Sequence, residues 1–76
     1  MDLRQVFAIN LRRLRHAKGL SQEELADLAD INRTYLSKLE TGSTWAGLEI
    51  IAKLSKILGC PPFELLVVQK PKKRSA

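Results

Sequence analysis

The sequence predicts an all-α, compact five-helix domain, and three observations carry that prediction. Apolar residues recur at helical i, i+3, i+4, i+7 spacing, no segment alternates apolar and polar residues long enough for a strand, and helix start and stop signals punctuate the pattern. A chain of 76 residues supplies one small core, with no room for a second domain or a cofactor fold. Residues 1–69 are expected to form this domain, and residues 70–76, KPKKRSA, a disordered basic tail.

The first helix is expected from about Asp2 to Ala17, with Leu3, Phe7, Leu11 and Leu14 facing the core and Gly19 as its stop. His16 lies opposite Phe7 and is read as solvated, and Ile9 is an outward apolar residue without an assigned role. Ser21 and Glu24 form a capping box, with Leu20 and Leu25 as its hydrophobic staple, so a second, short helix begins at Gln22. Its apolar residues are Leu25, Ala26, Leu28 and Ala29. Asn32 is the next N-cap and Ile31 and Leu36 its staple, opening a third helix from Arg33 to about Glu40.

Thr41, Gly42 and Ser43 end the third helix, and Trp45, just before the fourth, is expected as a lid on the core. The fourth helix spans Leu48 to Leu58, with Gly59 as its stop; Pro62 suits the first turn of a last short helix from Phe63 to about Val67. The fourth helix carries more apolar residues than one face holds. Leu48, Ile51, Ala52, Ser55 and Leu58 are expected to face the core, leaving Ile50, Leu54 and Ile57 as a second stripe. With Phe63, Leu66, Val67 and Val68 that stripe is expected to form a two-fold dimer surface; the alternative is one wide core face closed by the last helix.

Composition excludes several classes of function. A single cysteine rules out an intramolecular disulfide, and with one histidine no zinc-binding cluster is expected. No cofactor, metal or small-molecule ligand is expected, and no nucleophile and base are arranged for catalysis. No wholly apolar run is longer than Leu65 to Val68, so no membrane segment is expected and a cytoplasmic location is the default. The net charge of +5 is concentrated at the end: without Lys70, Lys72, Lys73 and Arg74, nine basic residues face eight acidic ones. The tail suits phosphate contact and solubilisation equally.

The second and third helices are separated by about three residues, Asp30 to Asn32, too few for an antiparallel return, so they must cross steeply as a helix-turn-helix. The string SQEELADLADINRTYLSKLETG, with RRLRHAKGL before it and GLEIIAKLSKILGCPPFELL after it, resembles the DNA-binding domain of the Cro and lambda-repressor type over residues 3–67. One residue departs from that pattern: Asp30 stands where the family commonly has glycine in the tight turn. Aspartate tolerates the left-handed conformation better than most residues, so the turn is expected to form with some strain. Asp27 and Asp30 also place negative charge near the expected DNA side.

At about 100° per residue, Leu36 and Leu39 mark the buried side of the third helix, with Thr34, Lys38 and Thr41 pointing away and Ser37 at the edge. The resemblance implies that Arg33, Thr34 and Lys38 read bases, and Ser37 adjoins them. Arginine and lysine suit guanine O6 and N7, and threonine suits a polar edge or the thymine methyl. Gln22, at the start of the second helix, Asn32, and Thr41 and Ser43 in the following loop are the expected phosphate contacts. Arg15 and Glu40 correspond to a family pair that bridges the first and third helices, and Cys60 to a usually apolar position.

The resemblance therefore implies a dimeric, sequence-specific transcriptional regulator that binds palindromic double-stranded DNA. Such a single-domain chain suits a phage, plasmid, mobile-element or restriction-modification controller. The alternative is a protein-interaction module of the same fold, antitoxin-like or antiactivator-like, that uses Val6, Ile9 or the fourth-helix stripe to bind another protein.

Overall fold

The computed structural model describes residues 2–68; the expected domain end at residue 69 and the basic tail, residues 70–76, lie outside the described residues. Four α-helices follow in order, α1 Leu3–Ala17, α2 Gln22–Ala29, α3 Arg33–Thr41 and α4 Leu48–Leu58, and a 3-10 helix, Pro62–Leu66, closes the fold. No strand occurs among the described residues.

The helix ends are set locally, by the residues that satisfy otherwise unpaired backbone N–H groups. Asp2 caps α1 rather than joining it: its carboxylate accepts the Arg4 N–H at 2.9 Å. At α2 both halves of the capping box form, Glu24 N–H to Ser21 Oγ at 3.0 Å and Ser21 N–H to the Glu24 carboxylate at 2.8 Å. Asn32 Oδ1 accepts the Thr34 N–H at 2.7 Å and starts α3. Gly42 ends α3 at φ 76°, where a Cβ would collide with the amide of Gln5 lying across it from α1.

The expected fifth α-helix is instead the 3-10 helix. It has no side-chain cap, and Val67 turns extended immediately after it, leaving too few residues for an α-helical ladder. Leu65 from this segment enters the core beside Phe7 and Leu11 of α1, Leu25 of α2, Leu36 and Leu39 of α3, and Leu54 and Leu58 of α4.

Packing revises several expectations. Leu54 is fully buried, and Ile50 and Ile57 are half-buried against the same core, so α4 has one wide inner face rather than two stripes. That face is broad because α4 is covered from two sides, by α2 and by the 3-10 helix. Leu48 and Ala52 lie outside it; Leu48, at the free N-terminal end of α4, is 85% exposed. Leu3 and Leu28 are also exposed, because they lie beside the inward strips of α1 and α2 rather than on them. Val6 is buried and offers no partner surface.

Trp45 is 61% exposed rather than a core lid. Its loop passes over the first turn of α1, where the Arg4 guanidinium lies 4.9 Å from the ring centroid, a cation-π contact in place of a cavity. Cys60 is half-buried against the core, and burial, reinforced by the Glu64 carboxylate, pushes its thiol up, keeping it protonated at neutral pH.

Asn10, unassigned in the sequence reading, is fully buried, and its Nδ2 donates to the Leu65 carbonyl at 2.9 Å and the Val67 carbonyl at 2.8 Å. This one amide ties the closing segment to α1. A signal for it was present: Asn10 lies on the Phe7, Leu11, Leu14 face, where a polar residue must find buried partners.

Candidate nucleic-acid interface

The turn between α2 and α3 is built on Asp30, which adopts φ 56°, ψ 48° and is the one non-glycine with positive φ among the described residues. Its N–H reaches the Asp27 carbonyl at 3.1 Å, and the Ile31 N–H reaches the Ala26 carbonyl at 2.9 Å, so two carbonyls of the last turn of α2 are satisfied before α3 begins. The expected left-handed aspartate is therefore present. Asp30→Gly is expected to stabilise the domain by about 0.5–1 kcal/mol, since it removes the Cβ penalty at the cost of some unfolded-state entropy. Urea unfolding of the two proteins checks this; a destabilised glycine variant would mean that the aspartate side chain itself supports the turn.

On α3, Leu36, Leu39 and Glu40 are buried, whereas Arg33, Thr34, Lys38 and Thr41 are exposed and Ser37 is half-buried, as the helical angle requires. Neither Arg33 nor Lys38 has an ion-pair partner among the described residues, so both cationic ends are available from one solvent-facing surface. Tyr35 leans against the core from the same helix.

The expected phosphate contacts differ in what they still have to offer. Asn32 has its oxygen committed to the cap, which leaves its NH2 group pointing outward as a donor. Gln22 is half-buried and donates one Nε2–H to Glu40 at 3.0 Å, retaining the other. Thr41 donates its hydroxyl to the Lys38 carbonyl at 3.1 Å, so Ser43, 2.7 Å from it, must be the donor in their mutual bond. The Ser43 N–H is also taken, by the Lys38 carbonyl at 2.9 Å. Phosphate contact at Thr41 and Ser43 thus requires these bonds to open.

Behind this surface, Arg15 and Glu40 meet as a buried bidentate pair, Nε to Oε2 at 2.6 Å and Nη2 to Oε1 at 3.0 Å. Arg15 also donates to the Leu20 carbonyl, Arg12 to the Glu40 carbonyl at 2.6 Å and Gln5 Nε2 to the Thr41 carbonyl at 3.4 Å, so α1 grips the end of α3 at three points. Arg12 and Gln5 were not singled out by periodicity, because each lies on an outer face and acts through its long reach.

The family model for the helix-turn-helix matches residues 11–65, most of the chain. The chain belongs to the helix-turn-helix family. Among the members it is similar to is the control protein C.BamHI of Bacillus amyloliquefaciens, 41% identical over 66 residues that cover 86% of this chain and 82% of that protein. The fold is similar to the crystal structure of the hypothetical transcription factor NHTF from Neisseria, with a TM-score of 0.84 and 42% identity over 88% of this chain and 77% of that one. The restriction-modification controller protein C.AhdI from Aeromonas hydrophila superimposes with a TM-score of 0.78 at 44% identity, covering 82% of this chain and 94% of that one. The resemblance drawn from the residues thus holds for this helix-turn-helix chain. Among its described residues no helix is long and apolar enough to cross a membrane, and no cluster of three or more His, Cys, Asp or Glu residues is placed to hold a metal ion.

Proposed function

We propose that the chain is a sequence-specific DNA-binding transcriptional regulator of the restriction-modification control type, acting as a homodimer on palindromic operators. The observation that carries this reading is the exposed, unpaired set Arg33, Thr34 and Lys38 on the second helix of a helix-turn-helix. In this reading α3 lies in the major groove, with these residues and Ser37 against base edges. Gln22 and Asn32 hold phosphates, and Thr41 and Ser43 do so where their local bonds open. The names of the similar control proteins support the regulatory role.

Dimerisation is assigned to the closing segment. Phe63 is 63% exposed, and Leu66, Val67 and Val68 are exposed around it. Ile50 and Ile57 contribute only their outer edges, and Leu54 takes no part. Two linked recognition helices make the second half-site contact effectively intramolecular, which a domain of modest positive charge needs for useful affinity.

Selection of bound duplexes from a random pool tests the reading. Arg33→Ala and Lys38→Ala are each expected to relax sequence preference and to cost about 1–3 kcal/mol where the contact is bidentate, whereas Gln22→Ala weakens all sequences alike. An unchanged selected site for both variants overturns the assignment of base readers.

A further inference from the structure

Glu40 does more than pair with Arg15. It is 1% exposed on α3, and its Oε1 accepts two hydrogen bonds at 3.0 Å, one from Arg15 Nη2 and one from Gln22 Nε2 of α2. The Arg15 guanidinium already supplies the countercharge, through two parallel bonds. Burial of the carboxylate therefore does not depend on Gln22, and the third bond calls for a separate explanation.

The orientation of the Gln22 amide follows from chemistry. An ionised carboxylate offers only acceptors, so the group 3.0 Å from Glu40 Oε1 must be the NH2 and not the carbonyl. A planar amide nitrogen carries two hydrogens in fixed directions. Once Glu40 holds one of them, the other has a set direction, at a half-exposed position on the first turn of α2. The negative charge of Glu40 is matched by Arg15, so the amide is held by an anion without presenting a net charge to an approaching phosphate.

Resting on the DNA-binding reading, we infer that Glu40 is a positioning residue for the operator backbone: acting through Gln22, it holds the amide in the orientation that donates to a phosphate. The ion pair and the interface are then one connected unit, α1 to α3 to α2. The long glutamine side chain loses its rotamer freedom when the domain folds rather than when DNA binds, which raises affinity through preorganisation.

A double-mutant cycle tests this, with a duplex selected by the wild-type protein as the probe. In the wild type, Gln22→Ala is expected to lower affinity about tenfold, the size of one hydrogen bond to a charged group. In an Arg15→Met/Glu40→Leu background, which replaces the buried pair by apolar groups of similar size, the background alone weakens binding, and Gln22→Ala then costs less than about threefold. The same tenfold loss in both backgrounds overturns the inference. A second readout involves no substitution: in the free wild-type protein one of the two Nε2 protons of Gln22 should resonate downfield of the ordinary glutamine side-chain range and be protected from exchange, the one held by Glu40. Ordinary shifts and no protection for both protons overturn the inference equally. If no duplex is selected by the wild type, the DNA-binding reading itself fails, whereas selection that depends on Arg33 and Lys38 but shows no coupling between Gln22 and Glu40 removes only this inference.

Discussion

Arg15→Ala is expected to lower the stability of the domain by about 3–5 kcal/mol, a large share of what so small a fold possesses. The substitution strands the Glu40 carboxylate, 1% exposed, without its countercharge and removes the donor to the Leu20 carbonyl. The comparison is Arg4→Ala, which breaks an exposed pair with Asp2 and a surface contact with Trp45 and is expected to cost less than about 1 kcal/mol. Urea unfolding followed by circular dichroism measures both. Trp45 fluorescence is a poor reporter here, because the indole is largely solvated in the folded protein. Equal losses for the two variants would show that the buried pair contributes nothing special.

Leu54→Asp is expected to abolish folding, whereas Phe63→Asp leaves a folded monomer. Leu54 is fully buried between α4 and the rest of the core, and a carboxylate there has no partner, a cost above about 4 kcal/mol. Phe63 projects from the 3-10 helix into solvent, so a charge at this position leaves the core intact and, in the proposed dimer, faces the second copy. Circular dichroism separates the two outcomes, and sedimentation across a wide concentration range reads the association. A wild type that stays monomeric, or a Phe63→Asp protein that stays dimeric, places the dimer surface elsewhere.

Much of the site was legible because its determinants lie within a few residues of one another. Ser21 and Glu24, Asn32, and the left-handed Asp30 define where α2 ends and α3 begins, and each acts on backbone groups of its own turn. Once α3 is placed, Leu36 and Leu39 orient it, and the helical angle puts Arg33, Thr34 and Lys38 outside. The Arg15 and Glu40 pair was reached by resemblance, since no local rule joins residues that far apart in the chain.

The positions of four helices, the N-caps of the second and third, the helix-turn-helix and the exposed face of its second helix were all set by local sequence. Which apolar residues are covered follows instead from how the elements pack together. Leu54 is buried because the 3-10 helix and α2 both reach α4; Trp45 is wet because α1 offers it a guanidinium instead of a cavity. That packing also decided the long-range polar links, Asn10 to the closing segment and Gln22 to Glu40. The difference is one of range. Caps and helical angles depend on neighbours within about one turn, whereas burial and side-chain bonding depend on which distant element arrives at a given face.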